Sequence, residues 1–114
     1  MSAGIRSANL RILRAGGATF PPECLEYLYR LIHRACFAGE GYRDLPAAEL
    51  CSLFRMQVGA DFGIFADDVL HRWGLRNHGD LGSAVFLLAE NGCLVLREGE
   101  TREDYEAQGP IRIG

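Results

Sequence analysis

Trp73–Asn91, WGLRNHGDLGSAVFLLAEN, is the stretch that decides how this chain folds. It opens as a tight polar turn in which Asn77 is placed to cap a following helix. Asp80, three residues on, falls near the positive end of that helix. From about His78 to Asn91 the residues are apolar nearly all round, through Leu81, Ala84, Val85, Phe86, Leu87 and Leu88. Such a pattern predicts the most buried helix of the fold. Asn91-Gly92 supplies the left-handed stop that a helix C-terminus favours. The turn from Trp73 to Asp80 is thus the expected pivot of the chain.

Upstream, Pro21-Pro22 opens a first helix, with Leu25, Leu28, Tyr29, Ile32, Ala35 and Cys36 on one buried stripe. Glu26 and Arg30 make an outer i, i+4 pair. A second pattern starts near Leu45-Pro46 with Leu50, Leu53, Phe54 and Val58. It resumes after Gly59 with Phe62, Phe65, Ala66, Val69, Leu70 and Trp73, which predicts one helix broken or kinked at VGADFG. Trp73 should anchor the core. Downstream, the β-like run CLVL, the charged loop EGETRED and the short run PIRI read as a hairpin or wing. Residues 1–19, with Leu10 and Ile12 alternating with Arg11, read as an arm or edge strand before a single helical domain over 20–114. The expected class is mainly α (α+β): about four helices with a small C-terminal β-hairpin or wing.

The order of helix, polar turn, apolar helix, strand and charged loop resembles a winged helix-turn-helix module, most closely over LGSAVFLLAENGCLVLREGE. Residues 20–106 also resemble the Minf family of short uncharacterised bacterial proteins. The matching positions are Phe20, Glu49-Leu50, Phe62-Gly63, Val69, Trp73-Gly74, Asp80, Gly82, Val85-Phe86, Leu88, Gly92 and Arg102-Glu103-Asp104-Tyr105. The chain departs from that pattern at Pro46, where the family has Ser, and in its tail Gly109-Pro110-Ile111-Arg112-Ile113. The resemblance implies a fold, with the Arg-Glu-Asp-Tyr tract fixing a loop by charge pairing. It brings no activity or ligand.

With 114 residues, 48% hydrophobic and 24% charged, the chain is long enough to bury roughly two thirds of its unfolded surface without metal or disulfide staples. Its net charge of -3 disfavours nucleic acid, because an acidic molecule repels a phosphate backbone. All 12 basic residues are Arg, a bias that GC-rich codon usage accounts for. Cys24, Cys36, Cys51 and Cys93 form no C-x-x-C pair and read as small buried hydrophobes. No apolar run is long enough to span a membrane, and the first residues lack a signal core, so the expected place is reducing cytoplasm.

No reactive constellation stands out. His33, His71 and His78 lack metal-ligand spacing, and His78 and Cys93 lie fifteen residues apart at opposite ends of a helix, roughly 20 Å at helical rise. The acids in ADFGIFADD and EGETREDYE read as solvated faces, and no glycine-rich loop carries a phosphate-binding lysine. No cofactor is expected. The leading expectation is therefore a non-enzymatic protein-interaction module with a protein partner or a homodimer. Its candidate surface is Arg6, Arg11, Arg14, Arg76, Asn77, Arg102 and Tyr105. The alternative is a winged-helix nucleic-acid binder reading bases from a last helix that exposes His78, Asp80, Ser83 and Glu90.

Overall fold

The computed structural model describes residues 20–36, 45–91 and 99–113. The expected N-terminal arm with Arg6, Arg11 and Arg14 and the run around Cys93 lie outside the described residues. Helix α1 spans Pro22–Cys36, α2 Ala47–Phe62, α3 Ala66–Trp73, α4 His78–Glu90 and α5 Arg102–Glu106, with a 3-10 turn at Gly63–Phe65 between α2 and α3.

The first helix follows its periodicity. Leu25, Leu28, Tyr29, Ile32, Ala35 and Cys36 are all buried, and Arg30 Nη2 pairs with Glu26 Oε1 at 2.8 Å on the outside. The second pattern breaks within VGADFG as expected, at its last residue, Gly63. Gly63 takes φ 52 and returns its N–H to the Gly59 carbonyl, which ends α2. The break also corrects one residue: Phe65 is 61% exposed, because the apolar period of α2 does not carry across the 3-10 turn. Trp73 does anchor the core. Its ring meets Tyr27 at 5.1 Å and Phe62 at 5.7 Å between centroids, a cluster that ties α1, α2 and α3 together.

The pivot is built from two caps placed back to back. Leu75 N–H bonds the Leu70 carbonyl and Gly74 N–H bonds that of His71, the paired closure of a Schellman motif, with Gly74 at φ 75. Three residues later Asn77 Oδ1 accepts from Asp80 N–H at 2.9 Å, while Asp80 Oδ2 accepts from Asn77 N–H at 3.3 Å. This reciprocal box starts α4. Glu90 is the only fully exposed residue of that helix. Even so, α1 buries eight residues and α4 six, one of them Gly82, so α4 has the fewest exposed positions of the long helices without contributing the most to the core.

The C-terminal third departs from expectation. Among the described residues there is no strand, and the expected wing is not found there. The segment read as a charged loop is α5, started by a second capping box in which Thr101 N–H donates to Asp104 Oδ2 at 2.9 Å. Its one buried residue is Tyr105, which packs on α4 where Gly82 leaves room. A Cβ at Gly82 would lie 2.7 Å from Tyr105 Cβ. The run PIRI makes one antiparallel bridge, Asn77 with Pro110, against the pivot; the run CLVL expected to pair with it lies outside the described residues. Ile111 and Ile113 pack on the core beyond it.

Two consequences are measurable. Ala is intrinsically better than Gly inside a helix by about 1 kcal/mol, yet Gly82→Ala should destabilise by about 1–3 kcal/mol in urea unfolding because the methyl displaces Tyr105. In a Tyr105→Ala background the same change should become neutral or stabilising. Equal destabilisation in both backgrounds would refute the contact.

Candidate interaction surface

The residues picked from the sequence are only partly brought together. Arg76 and Asn77 are exposed on the pivot, but the Asn77 side chain is spent on its cap. The Arg76 backbone is also committed: its N–H goes to Asp80 Oδ2 at 3.0 Å and its carbonyl accepts from Ile111 N–H at 3.3 Å. Arg102 lies on α5 with its guanidinium 5.7 Å from the centroid of Phe86 and 4.0 Å from Glu90, a half-open side chain lying along α4. Tyr105 is not a surface residue. It is 1% exposed, edge-on to Phe86 at 6.3 Å, with its hydroxyl donating to Glu100 at 3.3 Å. Burial among these groups and the neighbouring acids pushes its phenol far above the ordinary range.

His78 is the second correction. Expected on an exposed helix face, it is 1% exposed. Its Nδ1 lies 2.8 Å from the Gly109 carbonyl, which also accepts the His78 N–H at 2.9 Å, and its Nε2 lies 2.9 Å from Arg55 Nη1. A guanidinium can only donate, so Nε2 must accept and Nδ1 must carry the proton. The ring is thereby held neutral. Burial, with the Arg55 charge beside it, lowers its pKa below 6.5, the backbone acceptor opposing only in part. Sequence periodicity could not reveal this, because the partners come from α2 and from beyond α5.

The thiols are equally enclosed. Cys24, Cys36 and Cys51 are buried and in no disulfide. Desolvation pushes Cys24 up to about 12 and Cys51 up to about 11, far from the thiolate needed for nucleophilic work. Among the described residues no group of three or more His, Cys, Asp or Glu is arranged to hold a metal ion. An open hollow of about 550 Å3 beside the pivot is edged by Asp80, Ser83 and Glu106. A second, of about 450 Å3, is edged by Glu100 and Asp104. Both have acidic rims. No helix of the described chain is long and apolar enough to cross a membrane.

What does face solvent is the corner where α2 gives way to α3. Ile64 is 91% exposed, Met56 66% and Phe65 61%, and these are the large apolar side chains left open among the described residues. All three fall within ten residues of chain. Asp61, Asp67 and Asp68, close by in the sequence, are exposed too. Asp61 is drawn below the usual carboxylate range chiefly by the Tyr27 hydroxyl, which donates to it at 2.7 Å, and by the Gln57 amide at 2.9 Å. Periodicity alone had placed Phe65 inside. The signal that could have moved it out was Gly63, two residues earlier.

No family model matches the chain, and no curated protein or solved structure is detectably similar to it.

The neutral His78 gives a pH dependence with a definite sign. Its folded pKa is lowered, so its contribution to stability is complete above the ordinary value of 6.5 and is lost as pH falls through and below it. Unfolding free energy should therefore decline between pH 7 and 5, and His78→Gln should be less stable at pH 7 with a flatter profile across that window. An unchanged slope in the variant would mean the ring is not held neutral. In a Cys93→Ser chain, Ellman's reagent should find no fast-reacting thiol until denaturant is added; rapid stoichiometric labelling would contradict the burial of the other three.

Proposed function

We propose that the chain is a non-enzymatic protein-interaction module of the cytoplasm and that its contact face is the apolar corner at Met56, Ile64 and Phe65. The observation carrying this reading is that corner. Burying a large apolar side chain is worth about 1.5–3 kcal/mol, and three of them stand open in one short stretch while the other large apolar residues of the described chain are buried or half-buried. The polar groups that would otherwise suggest chemistry are engaged: His78 by Arg55 and Gly109, Asp80 and Asn77 by each other, the thiols by burial. The resemblance to the Minf family belongs to the same proposal and adds no activity to it.

The nucleic-acid reading finds less support. Its recognition helix would be α4, whose one fully exposed residue is Glu90 and whose flank is taken by α5 with Glu103, Asp104 and Glu106 outward. A basic surface, which phosphate contacts require, is not found on that side of the described chain.

The test is to compare the native chain with Ile64→Asp and Phe65→Ser by light scattering and by affinity capture. Self-association, or retention of one dominant partner, should be present in the native chain and lost in both variants, with helicity unchanged. A monomer that captures the same proteins with or without the corner would overturn the reading.

A further inference from the structure

We infer that α3 is a self-association helix: two copies of the chain lay their α3 helices antiparallel across a two-fold axis, each corner covering the other copy at Gly74. The inference rests on the interaction-module reading and names its partner. Ile64 and Phe65 stand immediately before α3, 91% and 61% exposed. The helix turns Ala66, Leu70 and Trp73 into the core, which leaves Asp67, Asp68, His71 and Arg72 as its exposed residues. The two acids fill its first turn and the two bases its last, so each acid has a base four residues on. That spacing suits pairs within the helix. Yet among the described residues none of these four side chains enters a hydrogen bond or an ion pair. The helix dipole favours acids at the start and bases at the end, which accounts for where each sign sits and not for two large apolar side chains left open beside them. Asp61 is accounted for separately, since Tyr27 and Gln57 bond its carboxylate and the Arg34 charge lies near it.

The order of these residues is self-complementary. A two-fold axis crossing α3 between Val69 and Leu70 sets Asp67 opposite Arg72 of the second copy and Asp68 opposite its His71, and the same pairs recur on the other side of the axis. Phe65 then lies opposite Gly74 of the second copy. Gly74 is exposed at φ 75, and a Cβ there would meet nothing within 4 Å, so its backbone offers an open surface to an aromatic ring. Apolar contact at the two ends supplies affinity, and the alternation of charge between them sets direction and register. Parallel helices would put acid on acid and base on base, which repulsion opposes. An isologous contact needs one patch that fits itself, and the acid-to-base order along this short helix meets that need only when two copies run antiparallel. For this reason the partner is a second copy of the chain. The contact closes on itself as a dimer and does not propagate.

A seam of one short helix is small, so the dimer is a weak one, and surface charges are screened over about 8–10 Å at ordinary salt, so it should weaken further as salt rises. By sedimentation equilibrium on the full chain, Asp67→Arg/Asp68→Arg, His71→Glu/Arg72→Glu and Ile64→Asp should each raise the dimer dissociation constant about tenfold or more, because like charges meet or an apolar anchor is lost. The decisive step mixes the first two variants. One presents a wholly basic α3 and the other a wholly acidic one, so the mixture should form a heterodimer although neither associates alone. The chain carrying all four substitutions, with the order of charge reversed, should associate with itself again. Circular dichroism and urea unfolding on each variant separate lost contact from lost fold. A dimer that weakens on Ile64→Asp but is indifferent to both charge variants overturns this inference and leaves the module reading intact. So does a native chain that stays monomeric up to about 1 mM, beyond the range of weak specific pairs, yet captures one dominant partner through the corner. A monomer whose captured proteins do not depend on the corner overturns both readings.

Discussion

The fold depends on how closely α5 can approach α4, and that distance is set by a missing side chain at Gly82. Tyr105 occupies the space a Cβ would take, and from there it reaches Phe86 on one side and Glu100 on the other. With the helix seated, the residues after it are delivered to the pivot, where the Gly109 carbonyl accepts both His78 protons and Ile111 closes on Arg76. His78 in turn holds Arg55 of α2. One close contact therefore connects the end of the chain to three helices. It also places a buried imidazole, held neutral at pH 7, where a solvent-facing one would be expected from the sequence.

Much of this was legible from local signals. Helix α1, the capped turn at Trp73–Asp80 and the length of α4 all follow from residues within a few positions of one another, which is why reading them in isolation works. The break after α2 was legible too, though not its position, because Gly59 and Gly63 are equally plausible in sequence and only the φ of 52 at Gly63 distinguishes them. Phe65 was misplaced by the same ambiguity.

Helix α5 was missed for a physical reason. Five residues with a single buried side chain have no periodicity to detect, and a tract of charges looks solvated. The signal present was Thr101-Arg102-Glu103-Asp104, a capping box by composition, and it was read as a loop held by charge pairing. The sequence points His78 and Tyr105 to the surface because their covers are distant along the chain: Arg55 and Gly109 lie 23 and 31 residues from His78, and Gly82 and Phe86 of α4 close over Tyr105. The exposed corner was illegible on the same ground, since exposure is what remains after everything else has packed. Of the candidate surface, Arg76, Asn77 and Arg102 are exposed among the described residues, the Asn77 side chain being engaged in its cap, and none of the three falls in the stretch from Met56 to Phe65.

If Tyr105 on Gly82 holds the chain end to the pivot, α4 and the tail open as one unit. Native-state amide hydrogen exchange resolves this directly at the His78 and Ile111 amides, which bond the Gly109 and Arg76 carbonyls. The account predicts that both exchange with the same opening free energy as Val85 and Leu88 at the centre of α4. Exchange of His78 and Ile111 at near-unprotected rates while Val85 and Leu88 remain fully protected would contradict it.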